Sequence, residues 1–216
     1  MRKFFSQISS KLENNLNLKS RILIIIAAIL LLPSFIFPLW SLKFWSYQYP
    51  DGLNLYIYSH KLVGGNEGND INEINILNHY IGMAALQEED FLELKWIPLG
   101  LGIFFVLTLR ALIFGKVGKA LDVFMLFTYF GAFGLWSFWY KLHYYGHNLD
   151  PRASVKVLPF NPPMFGFEQV GQFKVWSYPG AGSYFLVGFA LVLLVSMLIS
   201  LGSNESLKLK GKTGEI

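Results

Sequence analysis

Cysteine is absent from this 216-residue chain, and that absence excludes several functions at once. Without thiols there is no disulfide framework, no CxxCH attachment of c-type haem, no cysteine-ligated iron–sulfur cluster and no thiolate zinc site. Charge is also scarce: Asp, Glu, Lys and Arg make up 15% of the residues, against about 25% in a soluble domain. Hydrophobic residues supply 53% and aromatic residues 17%, and mean hydropathy is +0.41. Lipid is therefore expected as part of the solvent. The net charge is +4, but the basic residues form no single patch, so nucleic acid is not an expected partner. The run from Gly64 to Asp70 lacks the lysine of a phosphate-binding loop and is acidic, which disfavours phosphate.

Four apolar runs reach the roughly 20 residues a bilayer crossing needs: 22–40, 97–114, 120–140 and 184–201. The first follows Arg2, Lys3, Lys11, Lys19 and Arg21 but has no small-residue cleavage site after it, so it is expected to stay as an anchor bent at Pro33 or Pro38. The expected fold class is an all-α integral membrane protein of four transmembrane helices with a small α+β extracytoplasmic cap built from two long loops. Residues 1–21 and 202–216 would be cytoplasmic, and 41–95 and 141–183 would form the cap. This orientation puts eleven of the eighteen Lys and Arg residues on the cytoplasmic side, as the positive-inside rule favours. It predicts a multi-pass protein of the bacterial cytoplasmic (inner) membrane with both termini inside. The polar ends have little to pack, and the tryptophans, all at or beyond the outer helix ends, read mainly as interfacial anchors.

Within the cap, the alternation over 53–58 predicts a strand, and 155–158 and 173–176 are two shorter candidates among prolines. Tyr49-Pro50-Asp51-Gly52 is a turn. A helix is expected over about 70–81, opened by Asp70-x-x-Glu73 as a capping box and stopped by Gly82. Ile71, Ile74, Leu77 and Ile81 form its apolar stripe, while Asn72, Asn75 and His79 lie on a polar one. No histidine falls in mid-bilayer, which disfavours haem b, and no deep charge marks an ion route.

His60, His79, His143 and His147 all fall in the cap. His79 and Met83 are spaced i, i+4, as are His143 and His147, which on a continuing helix shares one face. Imidazole with thioether tilts metal choice toward copper, especially Cu(I). The expected metal set is His79 and Met83, joined by one or more of His60, His143 and His147, with Asn75 or Asn78 orienting the His79 ring. Each histidine could equally serve a polar network, and Gly82 or Gly146 could break the helix that the spacing assumes. Ser59-His60 and Asp150 form no recognised nucleophile arrangement, so no catalytic residue is assigned.

The stretch from Asp70 to Met83, DINEINILNHYIGM, together with Leu158–Gly166, LPFNPPMFG, resembles the small four-span membrane proteins encoded beside the atypical, Sec-exported nitrous oxide reductase. The resemblance implies an accessory role in copper-dependent respiration and denitrification, through metal supply or electron delivery to the exported reductase. The leading expectation is a non-enzymatic protein whose cap binds copper or docks that enzyme. Of the candidate ligands, His79 and Met83 fall in the matching segment. Two other functions fit the residues: an electron-transfer or quinone-interacting subunit working with a cytochrome, and a structural scaffold without metal.

Overall fold

The computed structural model describes residues 11–170 and 173–213, with side chains over 11–169 and 173–203. Four helices are long and apolar enough to cross a membrane: Leu18–Phe35, Glu93–Phe114, Val117–His147 and Ala181–Ser203. The remainder is not all-α, because five strands join into one sheet. The chain divides into two compact units, one from Met1–Leu32, Gly100–Gly131 and Phe185–Ile216, the other from Pro33–Leu99 and Ala132–Tyr184.

The first unit is helical. It holds α1 (Leu18–Leu31), the second half of α3 (Glu93–Phe114), the first half of α4 (Val117–His147) and most of α5 (Ala181–Thr213). Asn17 caps α1, its side-chain oxygen accepting from the Ser20 N–H at 2.7 Å. Ile24, Leu31, Leu101, Phe189 and Leu193 are fully buried. Phe127 meets Phe104 and Phe189 edge-on at 5.3 and 4.7 Å. The Ser20 hydroxyl donates to the Ser196 carbonyl at 2.6 Å, which spares it the cost of burial without a partner. Ile22, Ile29, Ile113, Leu126 and Val187 point outward, as side chains that meet lipid do. Residues ahead of α1 are packed more than their polarity suggests. Leu16 is buried, its N–H donates to the Gly115 carbonyl at 2.7 Å, and Val117 N–H donates to Asn14 at 3.0 Å. Residues 1–10 and 214–216 lie outside the described residues.

The first of these helices is shorter than its apolar run. α1 ends at Leu31, and Leu32–Phe35 is a 3-10 turn containing Pro33, whose missing N–H and ring bar a further α-turn. Trp40, expected as the last span residue, instead opens a strand.

The second unit is built on an antiparallel sheet in the order β3-β2-β1-β5-β4: β1 Trp40–Trp45, β2 Leu53–Ile57, β3 Leu62–Gly64, β4 Gly166–Val170 and β5 Phe173–Pro179. Leu42 lies opposite Leu55 and Ser177, and Phe44 opposite Leu53 and Val175. The period of two therefore gives one apolar face. Against it pack Ile74 and Leu77 of α2 (Asn69–Tyr80), together with Leu94. Trp40 is a core residue here, 7% exposed, with its indole N–H donating to the Ser177 hydroxyl at 2.8 Å and its ring against Phe138 and Phe165. It is not an interfacial anchor. The segment 155–158 forms no strand: Val155 N–H donates once, to the Tyr80 carbonyl at 2.9 Å, and prolines follow at 159, 162 and 163.

Candidate functional site

α2 is docked rather than self-sustaining. Twelve residues are marginal as an isolated helix, but Ile74, Leu77 and Ile81 are 1%, 8% and 7% exposed, each burial contributing about 1.5–3 kcal/mol. The expected capping box does not form. Gly68, with φ of +96°, occupies the N-cap position, and Asp70 is buried with its carboxylate accepting from the Asn54 N–H at 2.8 Å. Glu73 accepts instead from the Tyr49 hydroxyl. That hydrogen bond, with desolvation and the carboxylate's charge, raises the Tyr49 pKa above its ordinary value.

At the other end the helix stops at Tyr80, and Gly82 turns the chain with φ of +79°. A Cβ there would meet the Asp150 carbonyl at 2.7 Å and Ala153 Cβ at 2.9 Å, so only glycine fits. Met83 thus leaves the helix, and the i, i+4 face it would share with His79 does not exist. The two side chains are nevertheless neighbours in another way. Both line a cleft of about 500 Å³ with Ala84, Asp150, Arg152 and Ser154.

The walls of this cleft are fixed by side chains expected to serve His79. Asn75 exchanges two hydrogen bonds with Leu86, its Oδ1 accepting from the N–H at 2.7 Å and its Nδ2 donating to the carbonyl at 3.2 Å. Asn78 reaches the Ala84 carbonyl at 3.5 Å. Both hold the loop after α2 and neither orients the imidazole. Across the cleft, Arg152 grips Asp150 through Nε at 3.2 Å and a terminal nitrogen at 3.1 Å. The guanidinium's hydrogen bonds hold the Asp150 carboxyl below the usual range, with His79 adding to the effect. The pair is solvent-exposed, so its contribution is to the position of the rim rather than to stability.

The second histidine pair behaves oppositely. α4 runs through Gly146 to His147, so His143 and His147 do share a helix face. Their rings stack with centroids 3.9 Å apart, and Trp139 stacks on His143 at 5.5 Å. His147 Nδ1 donates to the His143 carbonyl at 3.0 Å, and His143 Nδ1 donates to Asn161 Oδ1 at 2.8 Å. Gly146 makes the second bond reachable. Its missing side chain lets the Phe160 carbonyl lie against the helix, while Phe160 N–H donates to the Gly146 carbonyl at 3.1 Å.

His60 stands apart on the β2–β3 turn, exposed, with Nδ1 at 3.4 Å from the Ser59 hydroxyl. Neither it nor His143 nor His147 lines the His79 cleft, and among the described residues no three histidine or acidic side chains gather as a ligand group. The five candidates therefore fall into three places: a cleft, a stacked pair and a lone turn histidine. Sequence reasoning passed over Arg152 and the bond from Asn161 to His143. Asp150-Pro151-Arg152 is a turn signal, but nothing in the spacing of Asn161 links it to α4.

The face of the sheet opposite α2 is a further candidate surface. By register it carries Ser41, Lys43 and Trp45, Asn54 and Tyr56, Phe167 and Gln169, and Lys174, Trp176 and Tyr178. Phe167, Trp176 and Tyr178 are exposed, and the Lys43 ammonium lies 5.1 Å from the Trp45 ring. No acidic residue takes an outward register position on the five described strands. No family model, no curated protein and no solved structure matches this chain.

Proposed function

We propose that this chain is a non-enzymatic accessory protein of the bacterial inner membrane, with both termini cytoplasmic and the sheet unit outside. In this reading the sheet unit docks an exported copper enzyme of the nitrous oxide reductase type. The observation that carries it is the aromatic and lysine-bearing sheet face opposite α2. Exposed Trp, Tyr and Phe are residues that anchor protein interfaces, and two lysines without an acidic neighbour on that face select an acidic partner surface. A photo-reactive phenylalanine analogue at Phe167 should cross-link, in cells respiring nitrous oxide, to the exported reductase. Lys43→Glu with Lys174→Glu should cut that adduct at least fivefold while protein abundance stays unchanged. An adduct that survives charge reversal, or none with the reductase, counts against docking.

A second reading is favoured by the shared cleft of His79 and Met83. One imidazole and one thioether are soft enough to hold Cu(I) transiently for transfer. In that case His79→Ala, rather than the lysine changes, should lower copper delivery.

A further inference from the structure

We infer that His143 and His147 form a two-imidazole binding site for a divalent transition metal, with Cu(II) the preferred ion, separate from the cleft of His79 and Met83. Three observations converge on it. The first is tautomeric. A backbone carbonyl only accepts, so His147 Nδ1, 3.0 Å from the His143 carbonyl, carries the proton. His143 Nδ1 likewise donates to the Asn161 amide oxygen at 2.8 Å. Each neutral ring is left with its basic lone pair on Nε2, the atom that would bind a metal. Anchoring of the remote ring N–H by a carbonyl or amide is the arrangement that surrounds metal-bound histidines.

The second observation is spacing. Metal–nitrogen bonds of about 2.0–2.1 Å place two neighbouring ligand nitrogens about 2.9–3.3 Å apart on one ion. The two rings, with centroids 3.9 Å apart and 28° between planes, are close enough for both Nε2 atoms to reach one ion once the rings turn out of the stack. The third is accessibility. His147 is exposed and His143 half-buried, so an ion can enter with water completing its coordination. The ligand set has two nitrogens and no sulfur, so among divalent first-row ions the affinity order peaks at Cu(II). Trp139, stacked on the far side of His143, restricts that ring and gives the pair a built-in optical reporter.

Asn161 is a positioning residue here. It touches no metal, but it fixes the tautomer and the plane of His143, and loss of such a partner weakens binding by about 10–100-fold. The site is independent of the docking reading, since it lies off the sheet face, and each can fail without the other.

The test adds Cu(II) chloride, against glycine as competitor, to the full-length protein in mild detergent. One ion should bind, with nitrogen hyperfine structure from two imidazoles in its electron paramagnetic resonance spectrum. His147→Ala, at an exposed position that leaves packing intact, should weaken Cu(II) at least tenfold and remove one nitrogen coupling. His143→Ala should do the same. Asn161→Leu should weaken Cu(II) about tenfold, and Asn161→Asp should restore it. His79→Ala should change neither affinity nor spectrum. Unchanged binding in the His147→Ala protein, or a greater loss in His79→Ala, overturns the site. Cross-linking from Phe167 should persist in His147→Ala, so a failure here and a failure of docking give different results.

Discussion

The C-terminal ends of α2 and α4 carry the same pattern of letters, a ligand-type residue, two others, a glycine and a second ligand-type residue. At α2 the glycine adopts φ of +79° and ends the helix. At α4 the glycine stays helical and a neighbouring segment lies on it. One glycine is used for its backbone freedom, the other for its missing side chain. An i, i+4 spacing therefore means a shared face only where the intervening glycine is held in the helix by something packed across it. Here that something is the backbone of Phe160.

The largest change expected is loss of α2 itself. Ile74→Ala, at a site 1% exposed, should destabilise the sheet unit by about 2–5 kcal/mol. Ile76→Ala, at 48% exposure on the same helix, should cost well under half of that. Thermal unfolding followed by circular dichroism in detergent separates the two. If both changes cost the same, the buried stripe is not what docks α2.

The glycines come next. Gly146→Val should push Phe160 off α4 at a cost of about 1–3 kcal/mol for overpacking, and should lower Cu(II) affinity along with stability. Gly82→Ala should cost more than the about 1–2 kcal/mol of a left-handed non-glycine residue, because its Cβ would also meet the Asp150 backbone at 2.7 Å, and it should lower Cu(II) affinity less than Gly146→Val does. Equal effects of both on Cu(II) would mean that Gly146 is not what sets the histidine pair.

The smallest effect is one of pH. The Tyr49 hydroxyl has a folded-state pKa above its ordinary 10.0. Its stabilising bond to Glu73 is therefore fully present below pH about 10 and is lost as pH rises through the higher folded value. Tyr49→Phe should flatten the alkaline arm of the stability profile and leave the neutral region nearly unchanged. An unaltered alkaline arm would place the titration on another group.

Much of this was legible in advance, and the misses have physical causes. Hydropathy finds all four helices long and apolar enough to cross a membrane, because length and apolarity are local properties. The stripe Ile71, Ile74, Leu77 and Ile81 finds α2 because one face of a docked helix must be apolar. Trp40-Ser41-Leu42-Lys43-Phe44 alternates as a strand should, yet it follows an apolar run so closely that the span absorbs Trp40. Strand β4 was hidden for a different reason: Gly166-Phe167-Glu168-Gln169-Val170 has weak alternation and gains its strand state from β5. Asp70 looked like a helix cap because local spacing shows a carboxylate near a helix start. It does not show that the Asn54 N–H of β2 competes for it. The bond from His143 to Asn161 is wholly tertiary, so no window of sequence contains it.

The order of the sheet also sets a timetable for its manufacture. β1 and β5 are neighbours at its centre, with Lys43 opposite Trp176, yet they lie far apart along the chain. At about 5–20 residues per second, the ribosome takes on the order of ten seconds to travel from one to the other. During that interval β1, β2, β3 and α2 can assemble, but β1 is an open edge whose N–H and C=O groups have no neighbour on one side. The nascent chain therefore waits with its middle unfinished until the residues just ahead of α5 arrive. A truncation that removes β5 should leave a protein prone to pair through β1 with other chains.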